Sequence, residues 1–599
     1  VAAGAGNNER YDAQTNLNKF KGDKQISLIG MGNNVNKQGF SMSDILNFSG
    51  ELRNGMRNGG GMVIRTQSDD QGGLPITGLG QNQQGIATTI AGGLNYNNNF
   101  KKKTDINASI TASDVDLKTD RTTERQYITP GNNFNYAATS NSNKKVQQQR
   151  LNMSIDHKID SFTSLKITPV LTLQQQRNKN YTSFNSVTTT KQLLNDGYNN
   201  STTKSDGFNL TNDILFRKTF KKKGRTISLN INPGLSTNDA NSTNISYNDI
   251  YSGSAYVRDT INQISSTTRD GKTFSSNLSY TEPIGKRGQL ELSYNYNYSL
   301  NNSDQQTLRY NKTTGAFDVI VPNLTNKFEN TNISNRFSLS YREQITKELS
   351  YTVGLGTQYA ELTSNNQTKG TNLSNKFTNY FPNVQIQYSK SRANNLRFNY
   401  RGRTNAPSIS QLQDVIDNTN QLNIRNGNPS LKQEFSHSFS LFYTKFDVIT
   451  FKNFVASING SFTQDKIGNA VTQNTGNTPI VVDGITLIPG AQYSKPTNLN
   501  GGVNVNGFIN FGFPTKKPKA NVNFSTNVAY SRDVNIYNSI KNFTNNYAFT
   551  ERISYNMNIK EQFDLNFSSS STYTLARYTQ STSQNGDYFT QVFSVEPTY

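Results

Sequence analysis

Cysteine and tryptophan are absent from this 599-residue chain, and histidine occurs only twice. Without cysteine there is no disulfide framework and no thiolate metal site, a composition compatible with a bacterial envelope. His157 and His437 fall beside an expected turn and on an expected strand, so both read as ordinary polar positions rather than a metal pair. No run approaches the ~18 consecutive apolar residues of a membrane-spanning helix, so a chain of this kind enters a bilayer only as strands. Glycine-rich phosphate loops between strand and helix are missing, as is a nucleophile elbow, and the carboxylates are too scattered to pick out an acid/base pair. No catalytic residue, cofactor or metal site is therefore expected, and the chain does not read as an enzyme. Asp69 and Asp70 lie side by side in a glycine-rich stretch. Two adjacent carboxylates fall well short of the ~6 to 8 oxygen ligands that calcium takes. No signal peptide opens the sequence; Val1 begins in strand-like VAAGAG, and the expectation is a start inside a longer precursor.

Apolar residues make up 33% of the chain, mean hydropathy is -0.71 and the net charge is +20. Such values ordinarily mark a chain that buries too little apolar surface to offset its ordering entropy. The 30 Tyr and 34 Phe argue the other way, because disordered chains are poor in aromatics. A membrane barrel resolves the conflict: only alternate residues of each strand need be apolar, while lumen and loops stay polar.

The repeating unit is clearest from Phe274 to Leu300. Phe274, Leu278, Tyr280 and Ile284 share one parity, interrupted by Ser276 and Glu282. Leu290, Leu292, Tyr294, Tyr296, Tyr298 and Leu300 then alternate with Glu291, Ser293, Asn295, Asn297 and Ser299. Period-two alternation puts the apolar side chains on one strand face and the polar ones on the other. Pro283, Gly285 and Gly288 bracket Lys286 and Arg287, which predicts a hairpin with a short basic turn. Comparable turns recur at roughly 45 to 80 residue intervals. They fall after Phe20, at Lys101 to Lys103, near His157 to Ser161, at Lys221 to Arg225, at Lys286 and Arg287, near Thr346 and Lys347, at Lys390 to Asn395, around Asp447 to Thr450, at Lys516 to Lys519, and at Lys560 and Glu561.

Between these hairpins lie stretches rich in Asn, Ser, Thr, Gly and Gln: roughly 34–83, 119–146, 183–204, 240–271, 302–328, 405–433 and 467–496. They read as long loops, uncommon in compact soluble domains, where medians are about 4 to 6 residues. Short turns alternating with long polar loops predict an all-β, antiparallel transmembrane barrel of about 22 strands, with periplasmic turns and extracellular loops, filling 1–599 as one domain. Phe20, Phe100, Phe162, Phe220, Phe451, Phe513 and Phe563 stand at turn ends, where an interfacial girdle would place them. The lysine clusters sit at the same ends, where residues must be polar anyway, so they read as solvated turns and not as a nucleic-acid footprint; anionic headgroups or a periplasmic partner are a second use for them.

Two segments go beyond alternation. From Thr404 to Tyr443 the sequence TNAPSISQLQDVIDNTNQLNIRNGNPSLKQEFSHSFSLFY contains Asn428, Pro429, Ser430, Leu431, Lys432, Gln433 and Glu434. This resembles the Asn-Pro-x-Leu-x-Pro-Glu element by which TonB-dependent receptor barrels leave a long loop and descend the next strand, with Gln433 in place of the usual proline. The other segment, QISLIGMGNNVNKQGFSMSDIL at Gln25 to Leu46, is similar to the early barrel of the Bacteroidetes-type outer-membrane β-barrel family among those receptors. A structural role follows for Asn428, Pro429, Leu431 and Glu434: Pro429 restricts the chain at the loop exit, and Leu431 and Glu434 begin the strand.

The resemblance implies an energised importer in the outer membrane of a Gram-negative bacterium, taking up a siderophore, an oligosaccharide or a peptide. Its partners would be the bilayer, the TonB system acting through an N-terminal plug, and a surface lipoprotein or other envelope subunits. The plug and TonB box are expected before the barrel, and Val1 already reads as barrel. Phe593, Val595 and Tyr599 resemble a barrel strand that Pro597 interrupts, and the family layout has further strands following. A non-transporting structural or assembly barrel is the second reading, a soluble adhesin the third and a barrel enzyme the last.

Overall fold

The computed structural model describes residues 1–36, 85–127, 133–252, 255–391, 393–418, 420, 422–476, 478–559, 563–580 and 585–598. Asp69, Asp70, Lys560, Glu561 and the second half of the Gln25 to Leu46 segment lie outside them. The chain begins with β1 (Ala2–Gly6), β2 (Arg10–Lys21), β3 (Lys24–Asn33), β4 (Ile86–Phe100), β5 (Thr104–Tyr127) and β6 (Phe134–Lys158). It continues with β7 (Thr163–Thr188), β8 (Leu193–Thr219), β9 (Thr226–Ser252), β10 (Ala255–Ile284), β11 (Gly288–Asn311) and β12 (Ala316–Ile320). Next come β13 (Asn326–Gln344), β14 (Leu349–Asn366), β15 (Thr371–Ser391), β16 (Asn394–Asn405), β17 (Asn423–Arg425) and β18 (Glu434–Phe446). The series ends with β19 (Asn453–Gln464), β20 (Lys466–Gln473), β21 (Ile480–Val482), β22 (Ile485–Leu487), β23 (Gln492–Leu499), β24 (Gly502–Thr515), β25 (Ala520–Tyr537), β26 (Ile540–Ile559), β27 (Phe563–Tyr578) and β28 (Gly586–Thr598).

One 26-stranded sheet holds all of these except the β21/β22 hairpin. Four members, β12, β17, β20 and β23, are short pieces off the main path, which leaves, among the described residues, twenty-two strands in one antiparallel meander from β1 to β28. Nine of the ten short turns read from the sequence stand between consecutive meander strands; the tenth, Lys560 and Glu561, lies outside the described residues. Gly22 and Gly285 take φ of 60° in two of them, where a side chain would strain the left-handed backbone. Among the described residues β1 pairs only with β2, and β28 only with β27. Pro597 lies opposite Leu565 in the β27/β28 pair.

The predicted hairpin is there in register: Tyr280 faces Leu292, Leu278 faces Tyr294 and Phe274 faces Tyr298. The same parity runs on through Tyr294 opposite Phe337, Leu292 opposite Leu339 and Leu339 opposite Leu355. These side chains stay open to solvent, with Leu292 51% exposed, Leu339 48% and Leu355 57%. The opposite parity is polar, and Ser27, Asn33, Thr89, Asn248, Asn326 and Asn330 on it are buried. Amphipathicity is thus inverted relative to a soluble protein, with the apolar face outside. Leu290 to Leu300 is ~36 Å of strand, which at the ~45° tilt of membrane strands gives ~25 Å of height, the apolar band of a membrane barrel. Phe20, Phe100, Phe162 and Phe451 are exposed at the short-turn end of that belt, as a girdle requires.

Three of the long polar segments are built differently from loops, and 34–83 lies almost wholly outside the described residues. Residues 119–146, 183–204 and 240–271 are mainly strand: β5 to β11 run 24 to 30 residues each and stay paired far beyond the belt. Cross-strand hydrogen bonds need no apolar face, so polar sequence on both sides continues the ladder into water. By contrast β16, β18 and β19 have only 12 or 13 residues. The rim is consequently tall on one flank and low on the other. Among the described residues, 405–433 and 467–496 leave the meander on the low flank and fold over the mouth, and a smaller excursion carries β12 between β11 and β13.

Candidate functional site

The two segments over the mouth pack into one cap. The first contains a helical turn at Ile409–Leu412, a bridge between Asp417 and Arg425, and β17, which runs parallel to β23 with Ile424 beside Tyr493. The second contains β20, the β21/β22 hairpin and β23; the hairpin turns on Asp483 and Gly484, both at positive φ. Ile424, Ile485, Leu487, Ile488, Ala491 and Tyr493 form a buried cluster joined by Ile416, Leu422, Val482 and Ile250. A second cluster brings Leu412 and Leu431 onto Leu362, with Phe377 and Ile467. Ile250 is on β9, and Leu362 and Phe377 are on β14 and β15, so the cap reaches strands that are not neighbours in the meander. Gln263 of β10 donates to Asn418 at 3.3 Å, and Gly490 lies against the Phe134 ring of β6. Residues so far apart in the meander meet only because the sheet curls around them, which identifies the face carrying Ile250, Gln263 and Leu362 as the interior.

Asn474, 1% exposed, organises the second segment. Its amide donates to the carbonyls of Thr478 (2.8 Å) and Leu487 (2.9 Å), while its Oδ1 accepts from Gly476 N–H (3.0 Å). Tyr493 donates to Asp483 at 3.2 Å, and Lys495 lies 3.4 Å from the same carboxylate. Burial, with the Asp483 and Asp414 charges, holds the Tyr493 phenol up to about 12. Burial raises the Asp414 carboxyl, but the Lys369 ammonium and the Asn426 amide, which donates at 2.8 Å, outweigh it and the net direction is down.

The four motif residues stand at the foot of the first segment. Asn428 donates its amide to Pro496 O at 3.0 Å and its backbone N–H to Gln411 O at 2.6 Å, and its Oδ1 accepts from Ser430 N–H at 3.0 Å. Pro429 and Ser430 form the turn that follows. Leu431 is fully buried between Leu412 and Leu362. Glu434 opens β18, accepting Ile467 N–H at 2.6 Å and the Asn405 amide at 3.3 Å. Gly427, just before the motif, has no room for a side chain: a Cβ would stand 2.0 Å from Gln413 O. The motif therefore touches both cap segments and the rim at once.

His157 and His437 are not brought together. His157 contacts Thr104 Oγ1 at 2.8 Å on β6, and His437 on β18 stacks on Phe462 at 4.2 Å. Among the described residues no group of three potential metal ligands occurs. The cap cluster itself was not picked out from the sequence; the signal for it was the short apolar run PIVVDGITLI around an Asp-Gly turn inside an otherwise polar stretch.

Residues 218–594 match the family described as "Outer membrane protein beta-barrel family". No curated relative matches the sequence. Similar solved structures include the siderophore receptor PiuA from Acinetobacter baumannii, at 10% identity and TM-score 0.48, covering 99% of this chain and 80% of that one. A variant of the ferric enterobactin receptor PfeA from Pseudomonas aeruginosa follows, at 9% identity and TM-score 0.41, with 86% and 78% covered. The alcaligin outer membrane receptor FauA from Bordetella pertussis has 9% identity and TM-score 0.34, with 86% and 77% covered.

Proposed function

Given that the chain belongs to the outer membrane protein beta-barrel family, we propose that it is the barrel of a TonB-dependent importer whose cap receives the solute at the extracellular mouth. The observation that carries this reading is the cap: two segments share a buried apolar core and together bridge the rim over a polar interior. In the importer, a siderophore, oligosaccharide or peptide meets the cap's outer surface, and TonB acting through a plug opens the path below. Asn428, Pro429, Leu431 and Glu434 serve as the latch in this reading, because they tie the first segment to β23, to β20 and to the β14 wall. Neither a catalytic residue nor a cofactor is required.

Deleting 405–433 tests the reading. Uptake of the cognate solute is expected to fall at least tenfold, while the barrel still assembles, as judged by heat-modifiable migration in gel electrophoresis. Uptake that persists undiminished, or that is equal in cells with and without TonB, would overturn it.

A further inference from the structure

The outward face of the belt carries a few polar side chains, and most stand singly among apolar or aromatic partners. Ser276 lies between Ile231 and Tyr296, Asn335 between Tyr296 and Tyr359, and Thr357 between Phe337 and Tyr380. The last four strands differ. Thr526, Glu551, Ser571 and Gln591 stand directly opposite one another on β25, β26, β27 and β28, with Ser569 one outward position nearer the short turn than Ser571. Ile553 and Phe549 flank Glu551 along its strand, Phe567 and Tyr573 flank the two serines, and Phe593 and Phe589 flank Gln591; all six are exposed. The polar row is therefore outward, with apolar surface above and below it.

Glu551 lies 8 residues from the end of β26 at Ile559, as Tyr296 near the middle of the Leu290 to Leu300 belt lies 8 from Gly288. Among the described residues it is the one outward carboxyl with two apolar or aromatic outward residues on each side along its strand; Glu282 and Glu343 lie close to short turns. Thr526 donates to Glu551 Oε2 at 2.6 Å, and Gln591 donates to Ser569 Oγ at 2.9 Å while accepting from Ser571. Glu551 Oε1, the Ser569 hydroxyl proton and the second amide N–H of Gln591 take no partner among the described residues. Hydrocarbon satisfies none of them, and an ionisable side chain at that depth marks a functional surface. Between lipid-immersed surfaces apolar contact adds little, and association comes from close packing at small residues and from polar groups that find each other. Ser569 and Ser571 supply the small residues, a notch between Phe567 and Tyr573.

The row is self-complementary. Its free acceptor is on β26 and its free donors are on β27 and β28. A two-fold axis along the membrane normal, passing between Glu551 and Ser571, exchanges the two sides at unchanged depth. We propose that the outward face of β25 to β28 is a self-association surface within the bilayer, on which a second copy of this chain packs with the Glu551 carboxyl of each copy in the serine notch of the other.

A chain without cysteine makes the test direct. S571C is expected to cross-link in outer membranes, with a short bis-maleimide, to a product of twice the chain mass, whereas L339C, on the outward face of β13, is not. In sedimentation of the purified full chain in detergent, E551L is expected to raise the dimer dissociation constant at least tenfold. E551Q, which keeps an acceptor, should raise it no more than about threefold. S571L fills the notch without altering Glu551 and should match E551L, which keeps the test available should E551L fail to assemble. A chain that is monomeric at every concentration, a dimer indifferent to E551L and S571L, equal cross-linking of S571C and L339C, or an S571C product of any other mass would overturn the proposal. Uptake is not a readout here, so the importer reading stands or falls separately.

Discussion

The lower and upper halves of the same hairpins obey different rules. From Ile227 to Leu235 every outward position of β9 is apolar or proline; beyond Thr237 the same face carries Asp239, Asn241 and Thr243 before aromatics return at Tyr247. Pairing with β8 and β10 continues nearly unbroken through both halves. What changes is the solvent, hydrocarbon below and water above. Backbone hydrogen bonding sets the length of the strand, whereas side-chain alternation reports only the medium it crosses.

The sharpest way to break that comparison is to place a charge in each half. Leu339→Arg, in the belt opposite Leu292 and Leu355, is expected to cost ~2 to 4 kcal/mol of bilayer-reconstituted stability. Ser266→Arg, on the outward face of upper β10, should change it by no more than ~0.5 kcal/mol. Equal effects would mean that the belt does not face lipid. In the cap, Leu431→Ala should destabilise locally by ~2 to 5 kcal/mol, because it empties a buried site between Leu412 and Leu362. Proteolysis would then cut within 405–433 while the thermal transition of the barrel stays put; a barrel that melts earlier would show that cap and wall unfold together.

A smaller effect belongs to pH. The Tyr493 phenol is raised from 10.0 to about 12, first by burial and then by nearby carboxylates. Its neutral form is the one the folded cap favours, so its contribution is complete below pH 10 and is lost as pH climbs through about 12. Hydrogen exchange of cap amides should therefore quicken over that window, and Tyr493→Phe should remove this component. A Phe variant with the same alkaline profile would assign the loosening to other groups.

How much of this was legible follows from the same contrast. Leu290 to Leu300 announced its strand because lipid demanded alternation, and nine of the ten short turns announced themselves through Gly, Lys and Pro between such runs. Residues 183–204 and 240–271 read as loops because a strand with water on both faces has no hydrophobic period to detect; their order comes from partners such as Tyr198 opposite Tyr247, contributed by a neighbouring strand. Asn428 to Glu434 stood out by resemblance, yet the contacts that Leu431 makes depend on Leu362, some seventy residues away in sequence.

The unequal rim bears on what happens outside the cell. With β10 at 30 residues and β18 at 13, one flank stands up to ~50 Å of strand higher than the other. A body wider than the mouth meets that hydrated fence before it meets the cap, whereas the low sill leaves the cap's edge open from the side. Size exclusion at this surface is thus set by geometry before any recognition begins.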